Sequence, residues 1–365
     1  MLYNEPRVVL CYYNYLFTSA KTKIEVVVLA QTKGKKMTKY KVFLEEQPAL
    51  ENIVVPVYTL CKRFCLLIWL AFLNFFVRLF LRRPKYNKKY KLAICAIFKN
   101  EAPYLTEWVE YHEMLGIEHF YLYNNNSEDN YQEILQPYID RGVITLIEWP
   151  YDHAQIDAYR HFYETYRNDT QWVSFLDIDE FFCPRYETTL LEWIKTKEKY
   201  PVLLVYWRMF GTSGQMQHQS DKLVIEQYTV SWERLYHVGK CLINTDYDIS
   251  FYGKTHHVTK VKYPLLGRFL KVTVTPVNQF GWFVFDPFHF KWLWRDNKYT
   301  IQVNHYWSKA WNIYDKKRQM TDVFFKENPK KNISYFLWHE RQNTKPNFLI
   351  YRFLMQLKLK MQDIV

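Results

Sequence analysis

Glycine is scarce, nine residues in 365. The first strand predicted in the regularly patterned part of the chain runs into Lys99, Asn100 and Glu101 with no glycine among them. A sugar-phosphate nucleotidyltransferase would carry a Gly-rich loop with Arg and Lys there to wrap phosphates, so that class is disfavoured. Cysteine is sparse as well. Cys11, Cys61, Cys65, Cys95, Cys183 and Cys241 form no C-x-x-C pair and have no histidine at ligand spacing, which sets aside a zinc site and a disulfide framework. Long apolar runs are missing too. Residues 64–77 are apolar except for Asn74, and a run of that length makes about 21 Å of helix against a hydrocarbon core of about 30 Å. Met1–Leu10 has no basic stretch leading into a long apolar core, so no cleavable signal is expected.

Net positive charge is absent from most of the chain. The total is +12, but residues 1–91 hold 17 Lys and Arg against 5 Asp and Glu, while residues 92–365 hold 32 of each. A nucleic-acid enzyme would carry its charge around its cleft, so no nucleic-acid partner is expected. A basic arm suits an anionic membrane surface better. Lys62 and Arg63 precede the apolar run, and Arg78, Arg82, Arg83, Lys85, Lys88, Lys89 and Lys91 follow it. That pattern predicts a shallow or re-entrant membrane helix, with no orientation set by the flanking charges. The expected organisation is an N-terminal extension (1–59, with a strand near 23–31), a membrane-attaching segment (60–89), a catalytic domain (90–320) and a C-terminal helical tail (321–365). Such a protein would sit at the cytoplasmic face of the inner membrane in a bacterium, or in the Golgi lumen of a eukaryote.

From residue 90 apolar periodicity alternates between strand and helix. Strands are predicted at 91–98, 117–123, 143–149, 172–176 and 201–207, and helices at 103–115, 131–141, 152–166 and 190–199. Gly142 suits the end of the second helix. The rhythm argues for an α/β domain with a mainly parallel sheet covered by helices on both faces. Ligands of such sheets bind at the carboxyl ends of the strands. Residues 99–101, 124–127 and 177–180 all fall there. Aromatics make up 19% of the chain; most fill the core, but flat rings also stack on sugars.

The most informative segment is residues 172–182, an apolar run that ends in Asp177, Ile178, Asp179 and Glu180. If the strand continued, Asp177 and Asp179 would share one face. Two carboxylates so placed repel each other, and a hard cation such as Mn²⁺ or Mg²⁺ relieves that while leaving coordination sites for phosphates. The expected chemistry is metal-dependent and acts on a nucleotide-diphosphate compound.

Residues 96–112 (AIFKNEAPYLTEWVEYH), 116–130 (GIEHFYLYNNNSEDN), 172–181, 210–214 (FGTSG) and 304–309 (NHYWSK) occur in that order. Together they resemble the family-92 (DUF23-type) glycosyltransferases and their family-2-like relatives, over about residues 90–320. The resemblance implies a GT-A fold and transfer of a sugar from a nucleotide-sugar donor, a UDP-sugar with UDP-galactose as the first candidate, with inversion. It implies metal ligation by Asp177, Asp179 and His305, with Asp177 also near the donor ribose and Glu180 bracing the loop. Donor contacts would come from Lys99, Asn100, Glu101, Asn124, Asn126, Gln155 and Lys309. Asn124 stands where an aspartate is frequent. The acceptor loop would be Phe210, Gly211 and Gly214 with His257, the glycines allowing close backbone approach. An inverting enzyme needs a carboxylate to take the acceptor proton; Glu233, Asp248 and Asp286 stand open for that role. The acceptor would be a glycan or lipid-linked chain in cell-surface polysaccharide synthesis. A catalytically dead, membrane-attached glycan-binding scaffold is the non-enzymatic alternative.

Overall fold

A computed structural model describes residues 8–18, 21–30, 38–43, the helical positions 65, 68, 72, 76, 79 and 80, and then 81–236, 238–250, 259–265, 270–284, 299–320, 328 and 331–362. The chain divides into two compact units, Met1–Trp69 and Leu70–Val365. In the first, β1 (Val8–Thr18), β2 (Lys21–Ala30) and β3 (Thr38–Phe43) form an antiparallel sheet in that order. The strand expected near 23–31 is its middle member. Its two neighbours are rich in the β-branched and aromatic residues that suit a pleated surface, yet lack clean alternation.

The second unit begins its regular part with β4 (Tyr90–Phe98), α1 (Ala102–Met114), β5 (His119–Asn124), α2 (Tyr131–Asp140), β6 (Ile144–Glu148), α3 (Gln155–Tyr166) and β7 (Thr170–Phe175). It continues through β8 (Glu180–Pro184), α4 (Leu190–Lys195), β9 (Val202–Met209), α5 (Val224–Gln227), β10 (Val230–Trp232), β11 (Gly239–Asn244) and β12 (Asp248–Ser250). Then come β13 (Lys260–Leu265), β14 (Leu270–Val274), β15 (Val277–Asn278), β16 (Ile301–His305), α6 (Trp311–Gln319), α7 (Ile333–Arg341), β17 (Asn343–Pro346) and α8 (Tyr351–Gln362).

The central sheet runs β6-β5-β4-β7-β11-β9-β16-β8, with β15 also on β9. Five of its eight pairings are parallel; β11 opposes both β7 and β9, and β8 opposes β16. This is a mixed α/β architecture with a mainly parallel sheet, as the βα rhythm predicts. The chain steps outward from β4 to β5 and β6, then returns to place β7 on the other side of β4. That reversal opens a crevice at the carboxyl ends of β4 and β7. Strand β4 reads as an unbroken apolar run because both its faces are covered. Leu92, Ile94, Ala96 and Phe98 join the core that contains α1, α2 and α8; Ala93, Cys95 and Ile97 join the core that contains α3.

The expected C-terminal tail is helical in α7 and α8 but is integral to the domain. Strand β17 pairs with β10, Phe353 and Leu357 of α8 enter the main core, and the Lys360 ammonium lies 2.6 Å from Glu110 of α1. The expected membrane-attaching segment falls mostly outside the described residues. Residues 81–87, beyond its last described helical positions, form no regular element, and the Tyr263 hydroxyl donates to the Phe80 carbonyl at 2.9 Å. Among the described residues no helix is long and apolar enough to cross a membrane.

Candidate active site

The acidic segment is a turn, not the end of a strand. β7 stops at Phe175, and the Glu180 N–H donates to the Asp177 carbonyl at 3.1 Å. The Glu180 carboxylate reaches back to accept the Asp177 N–H at 2.9 Å. Alternation therefore does not place Asp177 and Asp179 on one face: the turn sends them to different partners. Helix α1 holds this turn. The Trp108 indole N–H lies within reach of both the Asp177 carbonyl, at 3.2 Å, and the Glu180 carbonyl, at 3.0 Å. The Tyr111 hydroxyl donates to the Phe182 carbonyl at 2.7 Å. His112 packs beneath, and burial lowers its pKa to about 3, so it stays neutral. The WVEYH segment is thus a scaffold for the acids.

Asp177 faces Lys240. The Lys240 ammonium, 1% exposed, sits 2.9 Å from Asp177 Oδ2 and 3.0 Å from Glu180 Oε2. Burial works against its charge, but the two carboxylates outweigh that and hold its pKa above the ordinary lysine value. On the other side Gln155 Nε2 donates to Asp177 Oδ1 at 3.3 Å and to the Tyr159 hydroxyl at 3.0 Å. A built-in cation thus does for Asp177 what a metal ion was expected to do. Lys240 is a residue the sequence reading missed; its only signal was a lone lysine in an apolar strand.

Asp179 faces His305. Strand β16 pairs His305 opposite Glu180, and the Tyr306 N–H donates to the Asp179 carbonyl at 2.8 Å. This register carries His305 Nε2 to 3.5 Å from Asp179 Oδ1. Two ligands of one cation at bonds of about 2.1 Å stand roughly 3 Å apart, so a small side-chain rotation would let this pair share an ion. Among the described residues no group of three or more His, Cys, Asp or Glu side chains is placed to hold a metal. The expected trio of Asp177, Asp179 and His305 is corrected to a pair, because Lys240 already engages Asp177. Asp179 and His305 are the adjacent donor pair that remains.

A basic group lies along the same edge. Lys309, 1% exposed, has a left-handed backbone (φ 54°) and its ammonium stands 4.1 Å over the Tyr104 ring. It is 3.9 Å from Glu101, which also ion-pairs with Lys317 of α6. Asn100 has φ 55° and Asn126 φ 54°. Non-glycine residues in this region cost about 1–3 kcal/mol each and tend to gather at functional sites.

The other expected site residues fall in different places. Lys99 and the exposed Asn126 lie at the crevice. Asn100 and Asn124 build the loops around it. Asn100 Oδ1 accepts the Glu128 N–H at 2.7 Å. Asn124 donates to Tyr131 and Glu148 and accepts from Ser127, which leaves it little capacity for a ligand. Asp248 is corrected as a base: it pairs with Arg167 at 2.9 Å, just ahead of β7, whereas Asp177 lies beyond the opposite end of that strand. The Arg167 hydrogen bond also lowers its pKa. Glu233 stands near the carboxyl end of β9, where Arg208 donates to its carbonyl at 2.7 Å, and its carboxylate is exposed. Asp286 and His257 lie outside the described residues.

In the expected acceptor loop Phe210 is core, packed on Tyr306, and Gly214 has φ +79°. A Cβ on Gly211 would collide with the Asn343 and Glu340 side chains. Glu340 also accepts from the Thr212 hydroxyl at 2.6 Å. Thr212, Gly214, Gln215, Trp311, Phe336 and Glu340 are among the residues lining a pocket of about 150 Å³. Glu107 of α1, also unforeseen, accepts from the Val224 and Ile225 N–H groups at 2.7 and 3.0 Å; burial raises its pKa to about 7.

Residues 88–344 match the profile of glycosyltransferase family 92. The chain belongs to that family. A family 92 protein of Ricinus communis is 27% identical over 226 residues, which is 58% of this chain and 38% of the relative. The galactan β-1,4-galactosyltransferase GALS3 of Arabidopsis thaliana is 29% identical over 130 residues, 32% of this chain and 26% of that protein. The β-1,4-galactosyltransferase galt-1 of Caenorhabditis elegans is 32% identical over 109 residues, 26% of each. This family 92 chain therefore spans well under two thirds of the curated relatives it matches. Among solved structures, S. aureus TarS 1–349 is loosely similar, with a TM-score of 0.31 at 14% identity over 42% of this chain and 47% of that one.

Proposed function

We propose that this chain is a GT-A-type glycosyltransferase that moves a sugar from a nucleotide-diphosphate donor to a hydroxyl of a glycan or lipid-linked acceptor. The observation that carries the reading is convergence at one sheet edge. Asp177 and Asp179 follow β7, Glu101 follows β4, and His305 and Lys309 come from the end of β16, all at the crevice where β4 and β7 part. The galactosyltransferase names of two relatives support UDP-galactose as the donor to try first.

Asp177, fixed by Lys240 and Gln155, accepts a hydroxyl of the donor ribose. Asp179 and His305 would hold Mn²⁺ or Mg²⁺ against the diphosphate; such an ion, when bound, offsets the charge that grows on the leaving group. Lys309 adds a second positive charge there. The bond from the anomeric carbon to the diphosphate oxygen breaks, and the acceptor oxygen bonds to that carbon from the opposite face. The acceptor proton passes to a carboxylate, for which Glu233 stands at the correct end of the sheet. The 150 Å³ pocket, with the Trp311 and Phe336 rings beside Glu340, suits the acceptor sugar. We assign the basic, apolar segment at 60–89 to attachment at a membrane surface, in cell-surface polysaccharide synthesis.

A thermal-shift screen of UDP-, GDP- and dTDP-sugars, each with and without Mn²⁺, tests this. At least one UDP-sugar is expected to raise the melting temperature, and more so with Mn²⁺. No shift from any nucleotide would favour a non-catalytic scaffold.

A further inference from the structure

Strands β9 and β16 lie side by side and parallel, and the segments that leave them meet at one pocket. Thr212, Gly214, Gln215 and Met216 follow β9, Trp311 is the first residue of α6 beyond β16, and Phe336 and Glu340 belong to α7. The pocket's 150 Å³ is well below the roughly 300–1,000 Å³ that drug-sized ligands occupy, so it suits one small ring and not a longer stretch of chain. Its walls are apolar on one side. The Trp311 and Phe336 ring centroids stand 5.0 Å apart, and Met216 adds a flexible thioether at the exposed edge.

The polar side of the lining offers acceptors. Gln215 Nε2 donates to the Gln227 carbonyl at 2.9 Å, which fixes the amide's orientation. Its Oε1 is buried with no hydrogen-bond partner among the described residues, a state that costs about 1–3 kcal/mol until a donor reaches it. The Glu340 carboxylate accepts from the Thr212 N–H at 3.1 Å, the Thr212 hydroxyl at 2.6 Å and Asn343 Nδ2 at 3.2 Å. Those donors are neutral: they hold the carboxylate in place without cancelling its charge. Glu340 is the one charged side chain among the described residues that line the pocket.

We infer that this pocket takes an uncharged sugar ring of the acceptor, and that Glu340 excludes uronic and phosphorylated sugars from it. The inference rests on the acceptor reading of the pocket given above and adds the chemical class. A pyranose brings C–H faces for the aromatic walls and a hydroxyl donor for Gln215. A carboxylate or phosphate on the same ring would meet the Glu340 charge at close range, with no cation in the described lining to offset the repulsion.

The test uses the labelled full chain, with UDP and Mn²⁺, on an array of immobilised β-galactan, β-glucan and α-mannan oligosaccharides. Each is printed beside its C6-oxidised uronate form. Wild type, Glu340→Gln and Trp311→Ala are compared. At least one neutral family is expected to bind. In Glu340→Gln the uronate form is expected to gain about tenfold relative to its neutral partner; the basic N-terminal part is the same in both proteins and cancels from that ratio. Trp311→Ala is expected to lose neutral binding about tenfold or more. A gain in Glu340→Gln cannot come from misfolding, so it stands even if Trp311→Ala is unstable. An unchanged ratio in Glu340→Gln overturns the exclusion. Undiminished neutral binding in folded Trp311→Ala overturns the pocket as the sugar's seat. No neutral binding by a wild type whose melting temperature UDP raises overturns the sugar class and spares the nucleotide-donor reading, whereas no response to UDP overturns that reading instead.

Discussion

Lys240→Met is expected to lower the unfolding free energy by about 3–5 kcal/mol, the usual cost of removing one partner from a buried charge cluster. Among the described residues, the Lys240 ammonium is the only cation within salt-bridge distance of the Glu180 carboxylate oxygens apart from His305, and Glu180 is fully buried. Methionine fills much the same volume but leaves Asp177 and Glu180 as uncompensated neighbours. The double variant Lys240→Met/Glu180→Gln removes one of those charges along with the cation and is expected to regain a large part of the loss. Denaturant unfolding of the three proteins measures this. A loss below about 1 kcal/mol in the single variant would mean that Lys240 is replaceable and that something else compensates Asp177.

Asp179→Ala is expected to do the reverse: little to stability and much to activity. The residue 179 carbonyl accepts the Tyr306 N–H, and alanine keeps that bond. The carboxylate points at His305 instead. Unfolding free energy should stay within about 1 kcal/mol of wild type. Mn²⁺-dependent stabilisation by the donor should vanish, and turnover of the donor to free nucleoside diphosphate should fall by about 10²–10³, the scale for losing one electrostatic partner of the reacting group. Unchanged turnover in a folded Asp179→Ala protein would remove Asp179 from the site. The two variants separate acids that the D-x-D pattern presents as equivalent: Asp177 pairs with Lys240, and Asp179 faces His305.

Much of the architecture is legible along the chain. The β4 run from Leu92 to Phe98 and the Gly142 stop mark a strand buried on both faces and a helix end, because burial and positive φ restrict the residues that fit. The carboxyl-end loops follow from the same rhythm. The site is legible in residue types but not in pairings. Asp177 and Asp179 look like one metal site because a strand alternates, whereas the Glu180 side chain closes a turn on the Asp177 N–H. Lys240 carries only the weak signal of a lone lysine in an apolar strand, since its partners lie 63 and 60 positions earlier and meet it through the β7–β11 register. Asp248 looks available until Arg167 and Lys271 occupy it from neighbouring elements. Long-range contacts decide such cases, and periodicity is blind to them.

Hydrogen exchange with and without UDP and Mn²⁺, followed by mass spectrometry of the full chain, addresses the central claim most directly. Slowed exchange is predicted in residues 97–101, 176–180 and 305–309, the three segments that meet at the β4–β7 edge. Protection confined to other segments, or none at saturating UDP, would contradict a nucleotide site there.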